Sequence, residues 1–518
     1  YTSQVCRKWR QLMLDSPSIW GRLIDILDLQ VTSSSWIQEV LIRSKNAALW
    51  ITGPMHAFEP SPMKPDIFLT LISKEWARIE ILDVSDFWDS GENLAVDGHE
   101  QAQYWRHLFN QPAPLLKEFT FWYTAQSRRS ARAYGVPQAW LLPSPLFNAT
   151  APALRKFGVY RTENFRKTLH KFTMDMSLSW LSKLRSFTLR QDLELDPLLG
   201  LLRGMPLLET LEITRFSASG VGLIHQESPV SLPKLSSLRL EDWEPTDTVT
   251  FLESISTSPG CCLSMSNQPR DMFASHQQDS TRAHGVFMRY MQDYFEHHRV
   301  TNLSLSYNHS YLEIRENTLI SKGHPFKFSV WIPNPPDNSS FLRLLLASPS
   351  FAYVRQLDLS NSERSIPYAP SAFSSVETLD LRLTGLESLL KYLEGHDLLV
   401  RLRTLILHDR ELRPEYGRWL HGVLEKRRQI SRPISVLDLR NIDGISCNLD
   451  ALDDLVGLWI LFPYSSSRSE ESYVCGTGRP ELLRFADPKH YTLYQPSCIS
   501  RRLPGDKTTR TYGWSGQT

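Results

Sequence analysis

The side chains in this sequence that could do chemistry occur as short pairs and runs, not as constellations. His297 and His298 are adjacent. Neighbours on a helix point to different faces, which argues against a shared metal, and the pair suits a helix end. Cys261-Cys262 follows Pro259-Gly260 and is expected to pack as small core residues. Cys6, Cys447, Cys475 and Cys498 add no C-x-x-C pair, so neither a zinc module nor a disulfide framework is indicated. Gly476-Thr477-Gly478 lacks the preceding strand and following helix of a phosphate loop. Lys426-Arg427-Arg428 closes a helical stretch and favours its negative end, with a nuclear import signal as the weaker reading. Carboxylates are scattered, and no Ser/His/Asp or Cys/His spacing can be assembled. We therefore expect no enzyme, no cofactor and no metal.

Composition narrows the remaining possibilities. The chain has 518 residues, 41% of them apolar, enough for a large core. Lys plus Arg number 57 against 56 Asp plus Glu, a formal charge of +1. A binder of nucleic acid or of a membrane surface that works by bulk charge is usually more lopsided, so neither partner is expected. No apolar run reaches the ~18 residues that cross a bilayer, and no signal-peptide pattern is visible from Tyr1 onward. Six irregularly spaced cysteines suit a reduced, intracellular protein, cytoplasmic or nuclear.

The elements that would position a binding surface are repetitive. Val376-Glu377-Thr378-Leu379-Asp380-Leu381 alternates like a half-buried strand. Thr384-Gly385 turns into Leu386, Leu389, Leu390 and Leu393, one face of a helix. The phrase apolar-x-x-apolar-x-apolar recurs at Ile79–Val84, Leu116–Phe121, Leu154–Val159, Leu184–Leu189, Leu208–Ile213 and Leu235–Leu240. It returns at Val300–Leu305, Val354–Leu359, Leu402–Leu407 and Ile434–Leu439. The phrase alone is weak, since on the order of ten matches arise by chance. Context strengthens it: Pro114, Pro152, Pro206 and Pro233 each stand two places before the first apolar residue. Proline ends a preceding helix and starts the strand extended.

Helical stretches fall between these strands: Asp196-Pro197 as cap and first turn before Leu198–Leu202, Ser339-Ser340 before Phe341–Leu346, and Trp419–Leu424 after Pro414. Strand and helix alternating at this spacing resemble leucine-rich repeats of the long, irregular kind found behind F-boxes in fungal proteins. The expected fold is an α/β solenoid, a curved and mainly parallel sheet with outer helices. It would span 76–463, after connector helices and a first strand at Leu49–Ile51 in 31–75. Around 260–300 the rhythm breaks. A helix is expected at Val249–Ser256, a strand at Cys262–Ser266 and a mobile loop at Gln268–Ala283. Phe287, Tyr290, Met291, Tyr294 and Phe295 then make a helix face, and Phe326–Ile332 one more strand. Residues 464–518 read as an irregular tail.

In such a solenoid the residues alternating with the core line the concave face, where recognition usually occurs. These are Gln356, Asp358, Thr378, Asp380, Thr404, Ile406, Val436 and Asp438. Trp122, Tyr160, Arg382, His408 and Arg440 extend the row just past the strands.

The first thirty residues carry a second resemblance. Val5, Trp9 and Leu12 share one stripe of a helix that Pro17 ends. Val5-Cys6-Arg7-Lys8-Trp9-Arg10-Gln11-Leu12, then Ser16-Pro17-Ser18-Ile19-Trp20, resembles the last helix and exit of an F-box. The likeness covers about twenty residues, and that family's opening Leu-Pro-x-Glu helix has no counterpart here. The resemblance implies that Val5, Cys6, Trp9, Leu12, Pro17 and Trp20 contact a Skp-family adaptor on a cullin scaffold. The chain would then be the substrate-recognition subunit of a ubiquitin ligase, with the repeats holding an unknown target protein. The runner-up is a repeat-based interaction module with no ligase link; an α/β enzyme ranks last.

Overall fold

The computed structural model describes residues 7–26, 34–54, 72–88, 97–125, 142–163, 178–190, 194–214, 228–243, 245–266, 278–307, 311–317, 326–331, 344–362, 372–395, 399–462 and 472–485. The chain forms two compact units, Tyr1–Val376 and Glu377–Thr518. The division falls inside the phrase Val376–Leu381, where one continuous array was expected.

The first unit opens with α1 (Arg7–Leu14), α2 (Pro17–Trp20), β1 (Ile24–Asp25), α3 (Ser34–Ser44) and β2 (Leu49–Pro54). There follow β3 (Ile79–Trp88), α4 (Asp97–Phe109), β4 (Glu118–Ala125), β5 (Lys156–Glu163), β6 (Ser186–Arg190), α5 (Leu195–Arg203) and β7 (Thr210–Thr214). Then come β8 (Val230–Leu232), β9 (Ser237–Glu241), α6 (Pro245–Glu253), β10 (Ile255–Thr257), β11 (Cys262–Ser266) and α7 (Gln278–His297). The unit closes with β12 (Asn302–Tyr307), β13 (Tyr311–Glu316), β14 (Lys327–Trp331) and β15 (Gln356–Leu359). Strands β1 through β7, then β9 and β11, pair in parallel. Beyond β11 the order is β14, β13, β12 and β15, with β13 antiparallel to both neighbours. β8 and β10 form a small parallel pair of their own.

The repeated phrase is the physical basis of this ladder. Its fourth and sixth residues point inward from each strand, and its first anchors the turn before it. Leu154, Phe157 and Val159 are each fully buried, as are Leu208, Leu211 and Ile213, and every other copy is buried at all three places except at Leu359. Equivalent residues stand in register, so Leu82, Phe119, Phe157, Phe187, Leu211, Leu238 and Leu263 form one continuous buried row. From β4 to β9 the residue after the first apolar donates a backbone hydrogen bond to the preceding copy. Lys117 N–H donates to Glu80 O, Arg155 to Lys117, Arg185 to Arg155, and Glu209 to Arg185. Neighbouring copies are thereby tied before the strands begin.

Among the described residues short turns, Leu146–Ala149 and Leu181–Lys183, lead into β5 and β6, and large rings pack there. Phe147 and Trp180, both fully buried, pack on Phe119 and Phe157 at centroid distances of 5.2 and 5.5 Å. Trp105 and Phe109 from α4 close the same core against Phe121.

The second unit contains β16 (Thr378–Arg382), α8 (Gly385–Gly395), β17 (Thr404–Leu412), α9 (Pro414–Gln429), β18 (Val436–Ile445), β19 (Trp459–Leu461) and β20 (Ser472–Val474). β16 to β19 are parallel and β20 pairs antiparallel with β19. Leu379, Leu405, Leu437 and Ile460 make its buried row. Both units are thus mixed α/β with mostly parallel sheet.

Several expectations change. Gln278–Ala283, read as loop, is the start of α7, whose Phe287, Tyr290, Met291, Tyr294 and Phe295 are buried as the spacing required. The helix expected at Val249–Ser256 is α6, which starts at Pro245 and stops at Glu253, because Ile255 pairs with Val230. Helix α5 starts at Leu195 with Glu194 at the N-cap position, two residues earlier than Asp196-Pro197 predicts. Residues 472–485, read as tail, contribute β20 and bury Tyr473, Cys475 and Leu483. Phe341–Arg343, residues 268–277 of the expected loop, and the rest of the expected tail lie outside the described residues.

Candidate functional site

In the first unit, the side chains that alternate with the core form two rows on the opposite, open face of the sheet. One row, in register from β3 to β9, is Asp83, Thr120, Gly158, Thr188, Glu212 and Arg239. The next is Ser85, Trp122, Tyr160, Arg190, Thr214 and Glu241. Trp122 and Tyr160, both predicted recognition residues, are stacked with centroids 3.5 Å apart and planes 2° from parallel. Gly158 makes this possible: a Cβ there would lie 3.2 Å from Tyr160 Cε2, so the ring can lie back over its own strand. The Arg190 guanidinium is 5.6 Å from the Trp122 centroid and 5.3 Å from that of Tyr160. Nearly equal distances to two stacked rings put the cation beside the stack.

Arg190 is also tied to carboxylates. Its Nη2 reaches Glu212 Oε1 at 3.4 Å and Glu241 Oε2 at 3.3 Å. Arg239 Nε donates to Glu241 Oε1 at 2.8 Å. Lys156 pairs with Glu118 at 3.3 Å. Asp83 differs: it accepts a hydrogen bond from the Trp122 indole, and burial pushes its carboxyl above the ordinary range, with Lys156 opposing. Tyr160, bonded to Thr188, is raised by burial and by the nearby Glu212 charge. Arg190, Glu212, Arg239, Glu241 and Asp83 were not singled out from the sequence. The signal was there, since Asp83, Glu212 and Arg239 occupy the same place in the phrase as Asp358 and Asp380, and Arg190 and Glu241 the same place as Arg382.

In the second unit the open face holds other predicted residues. His408 Nε2 lies 2.6 Å from Asp380 Oδ1. Arg440 binds Asp438 with two nitrogens, Nε at 3.0 Å and Nη2 at 2.6 Å. Burial would raise the Asp438 carboxyl, but the Arg440 guanidinium and backbone N–H outweigh it and hold it below the usual range. Thr378, Thr404, Val436, Trp459 and Val474 form the adjoining row, and Trp459 and Val474 are exposed. Arg382 is exposed opposite His408. Gln356 and Asp358 belong to β15 of the first unit, and Asp358 accepts the Ser360 N–H at 2.9 Å, closing its own turn. The predicted residues thus belong to both units: Trp122, Tyr160, Gln356 and Asp358 to the first, and Thr378, Asp380, Arg382, Thr404, His408, Asp438 and Arg440 to the second.

The amino-terminal residues also divide. Helix α1 buries none of its residues, and Trp9 and Leu12 are 61% and 60% exposed. Trp20, expected at the adaptor contact, instead packs inward: its ring meets Trp36 at 5.9 Å and its Nε1 donates to Leu14 O at 2.9 Å. Trp20 thereby ties the end of α1 to α3, and Pro17 beside it is half-buried. Val5 and Cys6 lie outside the described residues.

The chemical pairs serve the scaffold. His298 Nε2 contacts Gly260 O, and Asp293 accepts the Gly260 N–H. Burial drives the Cys261 and Cys262 thiols up to about 12. Arg427 is fully buried and donates to Leu402 O, so the basic run Lys426–Arg428 is not an exposed signal. Gly476 has a positive φ and donates to Asp453 at 2.7 Å. Among the described residues no His, Cys, Asp and Glu group is arranged to hold a metal, and no helix is long and apolar enough to cross a membrane. No protein-family model matches the chain, and no curated protein matches it either.

Proposed function

We propose that this chain is a recognition subunit: it binds a target protein through the open faces of its repeat sheets, and α1 docks it on a Skp-family adaptor of a cullin ubiquitin ligase. The observation that carries the reading is the row Trp122–Tyr160–Arg190, where aromatic and cationic groups of the kind that dominate protein interfaces stand on rigid, in-register strands. The exposed Trp9 and Leu12 of α1 support the docking arm. In this role the chain itself makes and breaks no bond. Holding the target beside a conjugating enzyme raises effective concentration, which is sufficient for selection.

The test is a cellular one with separable arms. Proteins that accumulate when the chain is deleted should return to normal levels on expression of the wild type. Neither Trp9→Ala nor Trp122→Ala should restore them. Restoration by both variants would overturn the proposal. Failure of Trp122→Ala alone, with Trp9→Ala fully active, would leave a recognition module with no ligase link.

A further inference from the structure

A second surface lies where the strands of the first unit begin. The place just after the first apolar residue of the phrase holds Lys117, Arg155 and Arg185 in three successive copies, and all three are exposed. Arg155 N–H donates to Lys117 O and Arg185 N–H to Arg155 O, both at 2.8 Å. Their backbones therefore stand one strand spacing, roughly 4.8 Å, apart. Glu80 and Glu209 hold the same place at the two ends of this run and pair with Lys117 and Arg185. Arg155, in the middle, meets no carboxylate among the described residues. Its Nη1 donates to Leu154 O at 2.9 Å and to Pro152 O at 3.5 Å. Lys183 is likewise exposed and without a carboxylate among the described residues, and its Nζ donates to the same Pro152 O at 3.1 Å. Two exposed cations thus converge on one neutral oxygen, which leaves their mutual repulsion unrelieved.

From this geometry we propose that the ridge of Lys117, Arg155, Lys183 and Arg185 binds an acidic segment of a partner protein. A carboxylate placed over Pro152 would accept from Arg155 and Lys183 together and relieve the repulsion between them. Lys117 and Arg185 are 58% and 61% exposed, so their own ion pairs are weak and an incoming carboxylate can compete for them. Two leucines choose the class of partner. Leu115 and Leu207 take the place of Lys183 in the copies of β4 and β7, and are 47% and 37% exposed. Three strand spacings, about 14 Å, separate those copies, the reach of about four extended residues. A peptide with acidic residues between two apolar ones can therefore use the cations and the leucines at once. A nucleic-acid backbone would gain nothing from the leucines, and Glu80 and Glu209 would repel it at both ends of the ridge. The inference stands apart from the adaptor docking and from the Trp122 face.

The experiment uses the full chain and the fluorescein-labelled probe Leu-Glu-Glu-Glu-Leu-amide, read by anisotropy. Saturable binding is expected, and it should weaken as salt rises. The analogue with glutamine for each glutamate should not bind. Arg155→Gln together with Lys183→Gln should weaken binding by more than about tenfold, the loss of two charge-assisted contacts. Arg155→Gln alone should weaken it less. Lys391→Gln, which removes an exposed cation of the second unit, should leave it unchanged. Circular dichroism verifies that each variant is folded. No binding, equal binding of the glutamine analogue, an undiminished affinity in the double variant, or an equal loss in Lys391→Gln would overturn the inference. So would tighter binding of a thymidylate dodecamer than of the acidic probe, which would make the ridge a nucleic-acid surface. None of these readouts involves the adaptor or target turnover, so failure here is distinguishable from failure of the ligase reading.

Discussion

Phe157 and Tyr160 sit three residues apart on β5, one in the core row and one on the open face, and should respond very differently to truncation. Phe157 is fully buried and meets Phe119, Trp180 and Phe187 at centroid distances of 5.4, 5.5 and 5.8 Å. Removing a buried phenylalanine side chain typically costs about 3–5 kcal/mol, from lost transfer energy and the cavity left behind. With Phe119 and Phe187 held on parallel strands and Trp180 fully buried beside them, the site can collapse little, so the upper half of that range is expected. Tyr160→Ala removes the stack on Trp122, worth about 0.5–1.5 kcal/mol, and the cation–π contact with Arg190, worth about 0.5–1 kcal/mol. In urea, with a slope near 3 kcal/mol/M, Phe157→Ala should lower the unfolding midpoint by about 1–2 M, and Tyr160→Ala by less than about 1 M. Circular dichroism of the full chain, with tryptophan fluorescence alongside, reads both. Equal losses, or a larger loss for Tyr160→Ala, would refute the assigned facing of the ladder.

Other outcomes follow from the same geometry. Asp83 and Asp438 should show opposite linkage to pH. The Asp438 carboxyl is depressed in the fold, so its stabilisation is present above about 3.9, the ordinary Asp value, and is lost as pH falls through the depressed value. Asp438→Asn should therefore be destabilising at pH 7, with a penalty that fades in acid. The Asp83 carboxyl is raised, so it weakens the fold at pH above that raised value. Asp83→Asn should be at least as stable as wild type at pH 7, and thermal melts at pH 7 and pH 3.5 compare both. Gly260→Ala should destabilise by more than about 1 kcal/mol, because φ is +69° there and the new Cβ would lie 2.7 Å from His297 Cβ. An unchanged midpoint for that variant would mean that the β11–α7 junction yields more easily than its geometry implies.

The scaffold was legible in the sequence because burial repeats a requirement. Each copy needs three apolar residues at fixed places, as Leu184, Phe187 and Leu189 show, and parallel pairing keeps them in register. What was not legible was whatever lies outside that rule. β1 has two residues, too few for any pattern. β13 alternates Leu312 and Ile314 with Glu313 and Arg315, an ordinary half-buried strand, but it runs antiparallel and so lacks the anchoring residue of the phrase. β20 buries a single side chain, Tyr473. The division at Val376/Glu377 leaves no mark, since the phrase continues across it.

The candidate site was legible only in part. Trp122 and Tyr160 stood out as large side chains at the ends of apolar phrases, but their stacking depends on the absent side chain at Gly158, two residues before Tyr160 on β5. The network around Arg190 depends on carboxylates 22 and 51 residues away in sequence. Such contacts are set by strand register, which the alternation rule predicts once it is applied to every copy. Trp20 shows the converse: its place in the F-box-like motif suggested an outward contact, whereas its indole is spent on Leu14 and Trp36.

The central claim is that α1 and the repeat face are separate binding surfaces on one subunit. It is tested most directly by titrating a purified Skp-family adaptor with wild-type chain, Trp9→Ala and Trp122→Ala. A saturable complex is predicted for the wild type. Trp9→Ala should weaken it by more than about tenfold, the loss of roughly 1.4 kcal/mol or more expected at an interface anchor, and Trp122→Ala should leave it unchanged. No complex with the wild type, or one indifferent to Trp9→Ala, would contradict the account.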